Sequence, residues 1–391
     1  MKYLNLILFL AGVFLLTFLV GRFLERIRIP WIFSSLLIGL ALAAYNPFSD
    51  ITSSSSFLFL AELGMYFLLF IIGFELEIKN ILKQGSFIFK TTAAIIVFET
   101  IVGAVLVHYI FRTPWMIAIL VASSFATVGE AVLLPILDEF KLTKTKLGQA
   151  ILGIGVLDDI VEIATIIVAA ILVGRSVGHT HLTIWGDLFL LGLLFGVVFL
   201  LIRYHKKLPS FKFKDIPSFF LFIIFFIFLF IGVGAFVESA ALGALLAGIA
   251  LRNIVPREKL KFIDSEIRTM SYGFFAPIFF VWVGLDTDVG YILKFPLLIV
   301  LLVLMTNMTK ILASYFTGKA VLGKRKSIIL GIALTVKFST SIVIIKFLFD
   351  RGLIHSELYS VLIGTTIAFK FVVPMLMSYL ITKWKIGPKA S

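Results

Sequence analysis

Asp158 and Asp159 stand side by side near the middle of a 28-residue apolar run from Leu147 to Gly174. An ionised aspartate at the centre of a membrane-spanning helix costs at least about 2.5–3.5 kcal/mol, and a like charge beside it adds repulsion. A segment that keeps two is either paired with buried cations or lines a wet cavity. Either way, the chemistry on offer is capture and release of a small cation or a proton. Further charges interrupt apolar stretches: Glu162 in the same run, and Glu99, Lys310, Lys346 and Lys370 in others. Glu162 follows the aspartates by four and three residues and so shares their helix flank. Lys346 is near a helix end and is expected to snorkel, whereas Lys370 is too central for that.

Two polar segments break apolar surroundings in the same way. One reads Ser123-Ser124-Phe125-Ala126-Thr127-Val128-Gly129-Glu130, the other Thr335-Val336-Lys337-Phe338-Ser339-Thr340-Ser341. A helix that unwinds at mid-membrane presents its half-helix ends to an ion. Ordinary small-residue packing with Ser/Thr hydrogen bonds would use the same hydroxyls at Ser123, Ser124, Thr340 and Ser341. The charge within each segment favours the first reading.

The elements that must hold these residues are membrane helices. The 391-residue chain is 60% hydrophobic and 15% charged, against about half and a quarter in a soluble domain. Long apolar runs recur from end to end, which makes this an all-α polytopic membrane protein without room for a sizeable soluble domain. At about 20 residues per span, thirteen transmembrane helices are expected, near 3–21, 30–46, 57–76, 86–111, 115–137, 147–173, 183–203, 217–236, 238–252, 271–285, 291–317, 327–349 and 357–382. The loops after odd-numbered spans, with the C-terminal tail, carry 25 of the 35 basic residues, among them Arg22, Arg26, Arg28, Lys141, Lys144, Lys146, Arg257, Lys259, Lys261 and Arg268. By the positive-inside rule the N-terminus is outside the cell membrane and the C-terminus cytoplasmic. The same loops account for the net charge of +13 without nucleic acid. His205, Lys206 and Lys207 read as part of that topology signal.

Residues 3–21 are followed by arginines rather than by a small-residue cleavage site, so they read as a retained helix. The chain has no cysteine, and its five histidines lack metal-ligand spacing, which excludes thiol chemistry and disulfides. No Walker or dinucleotide fingerprint is present, which disfavours ATP-driven transport. No enzymatic activity and no cofactor are expected.

An internal repeat organises the helices. Gly73, Glu75 and Glu77 close the third span, and Gly284, Asp286 and Asp288 close the tenth in the same pattern, 211 residues later. The third span exits inside and the tenth outside, so the copies are inverted, six helices on each side of a linker helix. Inverted repeats around a mid-membrane site are a secondary-transporter architecture. The offset also maps the fifth span onto the twelfth, the two that hold the polar breaks. Glu75 and Asp286 read as residues that fix helix ends, and Gly243 and Gly248 as points of close packing.

These segments resemble the second cation–proton antiporter family, and in it the electrogenic NapA-like sodium/proton antiporters. The carriers are Ala61-Glu-Leu-Gly-Met-Tyr-Phe-Leu-Leu-Phe-Ile-Ile-Gly73-Phe-Glu75, Ile151-Leu-Gly-Ile-Gly-Val-Leu-Asp158-Asp159, Leu242-Gly-Ala-Leu-Leu-Ala-Gly248, Phe275-Ala-Pro-Ile-Phe-Phe-Val-Trp-Val-Gly284 and Lys310. The resemblance implies an NhaA/NapA-like fold with two interrupted crossing helices. It implies dimerisation-domain helices at 1–85 and 216–290, a transporting core at 86–174 and 291–391 (the latter with the tail), and a linker at 175–215. It also implies a homodimer in lipid that moves its core against the dimer side. Asp159 then binds Na⁺, or Li⁺, in competition with protons, and Asp158 pairs with Lys310. Electrogenic exchange follows if Lys310 loses its proton or leaves that pair during the cycle.

The sequence departs from the family pattern at three places. The family's Thr-Ser at the first break aligns with Val128-Gly129, followed by Glu130. Its Arg-Gly-Glu at the second is Lys337-Phe338-Ser339, and Lys370 replaces a polar or apolar residue. Glu130 is expected to stand in for the missing acid and to pair with Lys337 across the crossover, with Thr127, Glu162 and Ser339 in support. Two other functions fit the same residues. One is K⁺/H⁺ exchange or Kef-like potassium efflux, although Kef-like chains carry a nucleotide-binding domain after the membrane part and this chain ends at Ser391. The other is a membrane sensor or assembly subunit that keeps the fold.

Overall fold

A computed structural model describes residues 2–27, 29–75, 85–128, 140–176, 195–201, 216–236, 240–255, 257–336 and 339–386, with isolated residues elsewhere. All regular structure among them is helical: α1 (Lys2–Arg26), α2 (Phe33–Ala44), α3 (Ser49–Thr52), α4 (Ser55–Glu75), α5 (Ser86–Phe111), α6 (Trp115–Ala126), α7 (Lys146–Ser176), α8 (Ile216–Ala235), α9 (Ala240–Ile254), α10 (Arg257–Met270), a π-helical turn (Ser271–Phe275), α11 (Ala276–Leu285), α12 (Val289–Lys294), α13 (Pro296–Gly318), α14 (Lys324–Ala333), α15 (Ser339–Asp350) and α16 (Ser356–Lys383). In hydrocarbon a backbone must satisfy its own polar groups, and a helix does so within one segment. Seven helices among the described residues are long and apolar enough to cross a membrane, and α2, α6 and α9 are shorter apolar helices.

The chain forms two compact units. One comprises Thr52–Leu76 and Ile166–Phe279. Within it, α4 crosses α9 at glycines on both helices. A methyl group on Gly73 would overlap the carbonyl oxygen of Leu245, and one on Gly248 would overlap that of Phe70. Gly243 meets the Phe230 carbonyl of α8 in the same way. Phe67 stacks on Phe275 with ring centroids 4.3 Å apart, and Glu75 closes α4 in a 2.7 Å ion pair with Arg268. The positions expected to mean close packing, Gly243 and Gly248, are where backbones touch.

The other unit comprises Met1–Ile51, Glu77–Thr165 and Phe280–Ser391. Here α2 crosses α11, again glycine to glycine. A methyl on Gly39 would fall 2.9 Å from the Gly284 Cα and overlap the Val281 carbonyl oxygen, and one on Gly284 would lie 2.6 Å from the Leu36 oxygen.

Three expectations change. Arg257, Lys259, Lys261 and Arg268 belong to α10, not to a loop. This polar helix runs on through the π-helical turn into α11, so the helix expected to begin at 271 continues one that starts earlier, and its apolar part long enough to cross a membrane is Ser265–Leu285. Lys346 does not snorkel. It is fully buried, paired with Asp286 at 2.8 Å and with Asp350, and its ammonium lies 3.3 Å from the centre of the Trp282 ring. Two carboxylates and an aromatic face reward burial of the charge more than a route to water would. The span at 115–137 is helical only to Ala126 in its first part. Of the span at 183–203, residues 183–191 lie outside the described residues and 195–201 are helical; Glu130, Lys337 and the side chains of Asp159, Glu162 and Ser339 also lie outside them.

Candidate ion-binding site

Two helices stop inside the second unit. α6 ends at Ala126, and Thr127 turns to extended backbone with φ −75° and ψ 167°. α14 ends at Ala333 with Leu334 as its cap, Thr335 and Val336 lie outside any helix, and the next described helix, α15, begins at Ser339. Both stops are C-terminal ends, where the last carbonyls lack intrahelical N–H partners and carry the negative pole of the helix. Buried in an apolar interior, these ends need a donor.

Lys310 of α13 is that donor. Its side chain is fully buried, and its Nζ donates to the carbonyl oxygens of Ala126 at 2.8 Å, Thr127 at 3.4 Å and Leu334 at 2.5 Å. One ammonium thus serves both helix ends. Glu99 of α5, itself buried, completes the surround with its Oε2 3.2 Å from Nζ. Small residues let these helices approach: a Cβ on Gly331 of α14 would fall 2.5 Å from the Ile311 Cα, and one on Gly103 of α5 would fall 3.0 Å from the Ala122 Cβ.

Hydroxyls tie the two breaks together. The Thr127 and Ser341 hydroxyls are 3.2 Å apart, and Thr127 Oγ1 also donates to the Ser124 carbonyl. Ser124 and Thr335 donate to the carbonyls three residues back, which occupies backbone acceptors next to each stop. Ser123 Oγ lies 3.3 Å from Thr165 Oγ1, which joins α6 to the helix that carries the aspartates. Asp158 is buried on α7, and Val128 is buried just past the first stop. Phe125 faces Phe369 with centroids 6.5 Å apart; the neighbouring Lys370 is buried with its ammonium 5.1 Å over the Phe33 ring. A cavity of about 30 Å³, room for about two waters, is walled by Glu99, Thr306 and Thr309 and otherwise by apolar side chains of α5, α6, α13 and α16.

The structure therefore brings together Lys310, Thr127 and Glu99. The lysine's role at the two helix ends was not readable from residue types, because its acceptors are backbone carbonyls. The Glu99 contact had a signal that pattern reading passed over: the 211-residue offset that relates Gly73 to Gly284 also carries Glu99 onto Lys310.

Residues 12–382 match the family described as sodium/hydrogen exchanger, transmembrane. The chain belongs to the sodium/hydrogen exchanger family. It is 25% identical over 373 residues, 93% of each chain, to a probable Na⁺/H⁺ antiporter 3 of Methanocaldococcus jannaschii. It is 25% identical over 335 residues to a Na⁺/H⁺ antiporter of Enterococcus hirae, covering 83% of this chain and 84% of that one. A glutathione-regulated potassium-efflux protein, KefC of Escherichia coli, is 30% identical over 268 residues, 65% of this chain but 41% of KefC. The fold is shared with the sodium proton antiporter MjNhaP1 of M. jannaschii, with a TM-score of 0.63 over 98% of both chains at 16% identity. The resemblance to cation–proton antiporters is thus a membership. The protein is a multi-pass membrane protein of a transporter family, not an enzyme.

Proposed function

We propose that this exchanger moves a monovalent cation, Na⁺ first and Li⁺ after it, against protons, with Asp159 as the shared site. The observation that carries the reading is the pair of helix stops closed by one buried lysine. Unwound half-helices at mid-membrane serve ion sites in secondary transporters, and this pair lies in the unit that carries Asp158. The Na⁺/H⁺ antiporter relatives supply the choice of ions.

A cation shed of its water and a proton compete for the Asp159 carboxylate, so loading one releases the other. Asp158 and Asp159 act as a coupled pair, with apparent affinities that belong to both. Two protons carried by the pair against one cation move net charge, which makes the exchange electrogenic. Each such charge is worth about 2.3 kcal/mol per 100 mV, so the membrane potential drives cation export. Asp158 engages Lys310 for part of the cycle and leaves it when protonated. Glu130 and Lys337 pair across the crossover, with Glu162 and Ser339 in support.

Access alternates as the core helices move against the dimer side of a homodimer in the cell membrane, with the C-terminus cytoplasmic. The likeness to KefC supports K⁺ as the second choice of cation.

The test is purified protein in liposomes with an internal pH dye, to which Na⁺, Li⁺ and K⁺ are added in turn, beside Asp159→Asn. Cation-triggered proton flux that vanishes in the variant is the expected result, and the cation ranking names the substrate. Folded protein that moves no protons with any cation refutes the reading in favour of a sensor or assembly subunit.

A further inference from the structure

Lys310 places a full positive charge where a cation must arrive. Three carbonyl oxygens hold the ammonium, but they bring only partial charge. Glu99 is the formal charge at 3.2 Å from it, with both side chains buried. We infer that Glu99 is a positioning residue that keeps Lys310 at the crossover and offsets its charge, and so sets the affinity for the transported cation. This rests on the antiporter reading and adds a residue to it.

Two observations support a built pair rather than a chance contact. The first is position in the repeat. Glu99 and Lys310 occupy equivalent places in the two copies, 211 residues apart. The two helices that carry them, α5 and α13, pack against each other, so the offset sets an acid of one copy against a base of the other. The second is the approach of the helices. Gly331 lets α14 close onto the backbone at Ile311, next to Lys310, and Gly103, one turn past Glu99, lets α5 close onto Ala122 of α6. A small, mostly apolar cavity lies beside Glu99, so the ammonium of Lys310 is the near charge that takes up its carboxylate.

The experiment measures cation-driven proton flux in liposomes for wild type, Glu99→Gln and Glu99→Asp, with Na⁺ binding to the detergent-purified proteins by calorimetry. Glutamine keeps the shape and removes the charge. At an effective dielectric of about 20, one unit of charge at a separation of the order of 10 Å changes cation affinity about tenfold. Glu99→Gln is expected to raise the KM and Kd for Na⁺ by about that factor with maximal rate within about threefold of wild type, and Glu99→Asp to recover most of the affinity. A purely structural role would lower yield and rate without a selective change in affinity. If Glu99→Gln does not fold, the chain with Glu99→Gln and Lys310→Gln, neutral at both positions, replaces it: a Kd within about threefold of wild type supports the offset, and a tenfold rise overturns it. Wild-type exchange with an unchanged KM in Glu99→Gln overturns the inference and leaves the antiporter reading standing. No exchange by wild type with any cation overturns both.

Discussion

Lys310→Met is the substitution whose energetics the structure specifies most fully. The methionine fills much of the lysine's volume and removes one buried charge. Glu99 is then left buried without the ammonium at 3.2 Å, and breaking a buried pair from one side costs about 3–5 kcal/mol. The carbonyls of Ala126, Thr127 and Leu334 lose their shared donor, at about 1–3 kcal/mol for a buried acceptor left unmet. The low ends of these two ranges together give about 4 kcal/mol as the expected loss. For a chain of this size that corresponds to a fall in Tm of the order of 8 °C in detergent, at about 2 °C per kcal/mol. The informative measurement is the second variant. Adding Glu99→Gln to Lys310→Met removes the carboxylate charge that faced the ammonium, so the double variant should unfold at a higher temperature than Lys310→Met alone by several degrees. Glu99→Gln in the wild-type background should lower Tm instead. This reversal of sign follows only if the two side chains neutralise each other in the folded protein. A double variant less stable than Lys310→Met by the full cost of Glu99→Gln would refute the reasoning, because additivity marks residues that do not interact.

Other positions give independent checks. Gly331→Ala forces a methyl group to 2.5 Å from the Ile311 Cα; a loss of about 1–3 kcal/mol and of most transport is expected, read by thermal unfolding and proton flux. Gly232→Ala in α8, where nothing lies within 4 Å, should instead raise stability by up to about 1 kcal/mol, because alanine is the better helix former. Ser341→Ala removes the hydroxyl 3.2 Å from that of Thr127 and should cost about 1 kcal/mol, with transport reduced in protein that still folds. Lys346→Met leaves Asp286 and Asp350 without their shared ammonium. Both carboxylates are partly exposed, so about 1–3 kcal/mol is expected, recovered in part by adding Asp286→Asn.

The membrane class was legible because the bilayer imposes one rule on every span, and apolar runs long enough to cross it are hard to mimic. The break in the fifth span was legible from Ser123 to Glu130 for a related reason: a charge and three hydroxyls are costly inside an apolar helix unless something there needs them. The start of the tenth span was not. Arg257–Met270 is polar enough to pass for a loop, and only the structure shows it as a helix that continues through the π-helical turn into α11. Lys346 was misread because nearness to a helix end says how far a lysine is from water, but not that Trp282, Asp286 and Asp350 wait beside it. The partners of Lys310 were hidden because the carbonyls of Ala126 and Leu334 have no signature in the sequence; they become acceptors only where the helices stop.

The glycines extend the repeat beyond the motif that revealed it. Gly73 ends the third helix of the first copy and crosses α9 at Leu245 and Gly248, and α9 is the second helix of the second copy. Its counterpart Gly284 ends the third helix of the second copy and crosses α2 at Gly39, the second helix of the first. Each copy thus lends its third helix to the other, at glycines two residues from register under the 211-residue offset. Such a reciprocal pattern is what an internal repeat at the 211-residue offset leads one to expect. It also predicts equivalence. Gly73→Ala and Gly284→Ala should cost similar amounts, within about 1 kcal/mol of each other, since each drives a methyl into a facing backbone. Thermal unfolding of the two variants decides the point: a large loss at one glycine beside a negligible loss at the other would show that the two crossings are not counterparts.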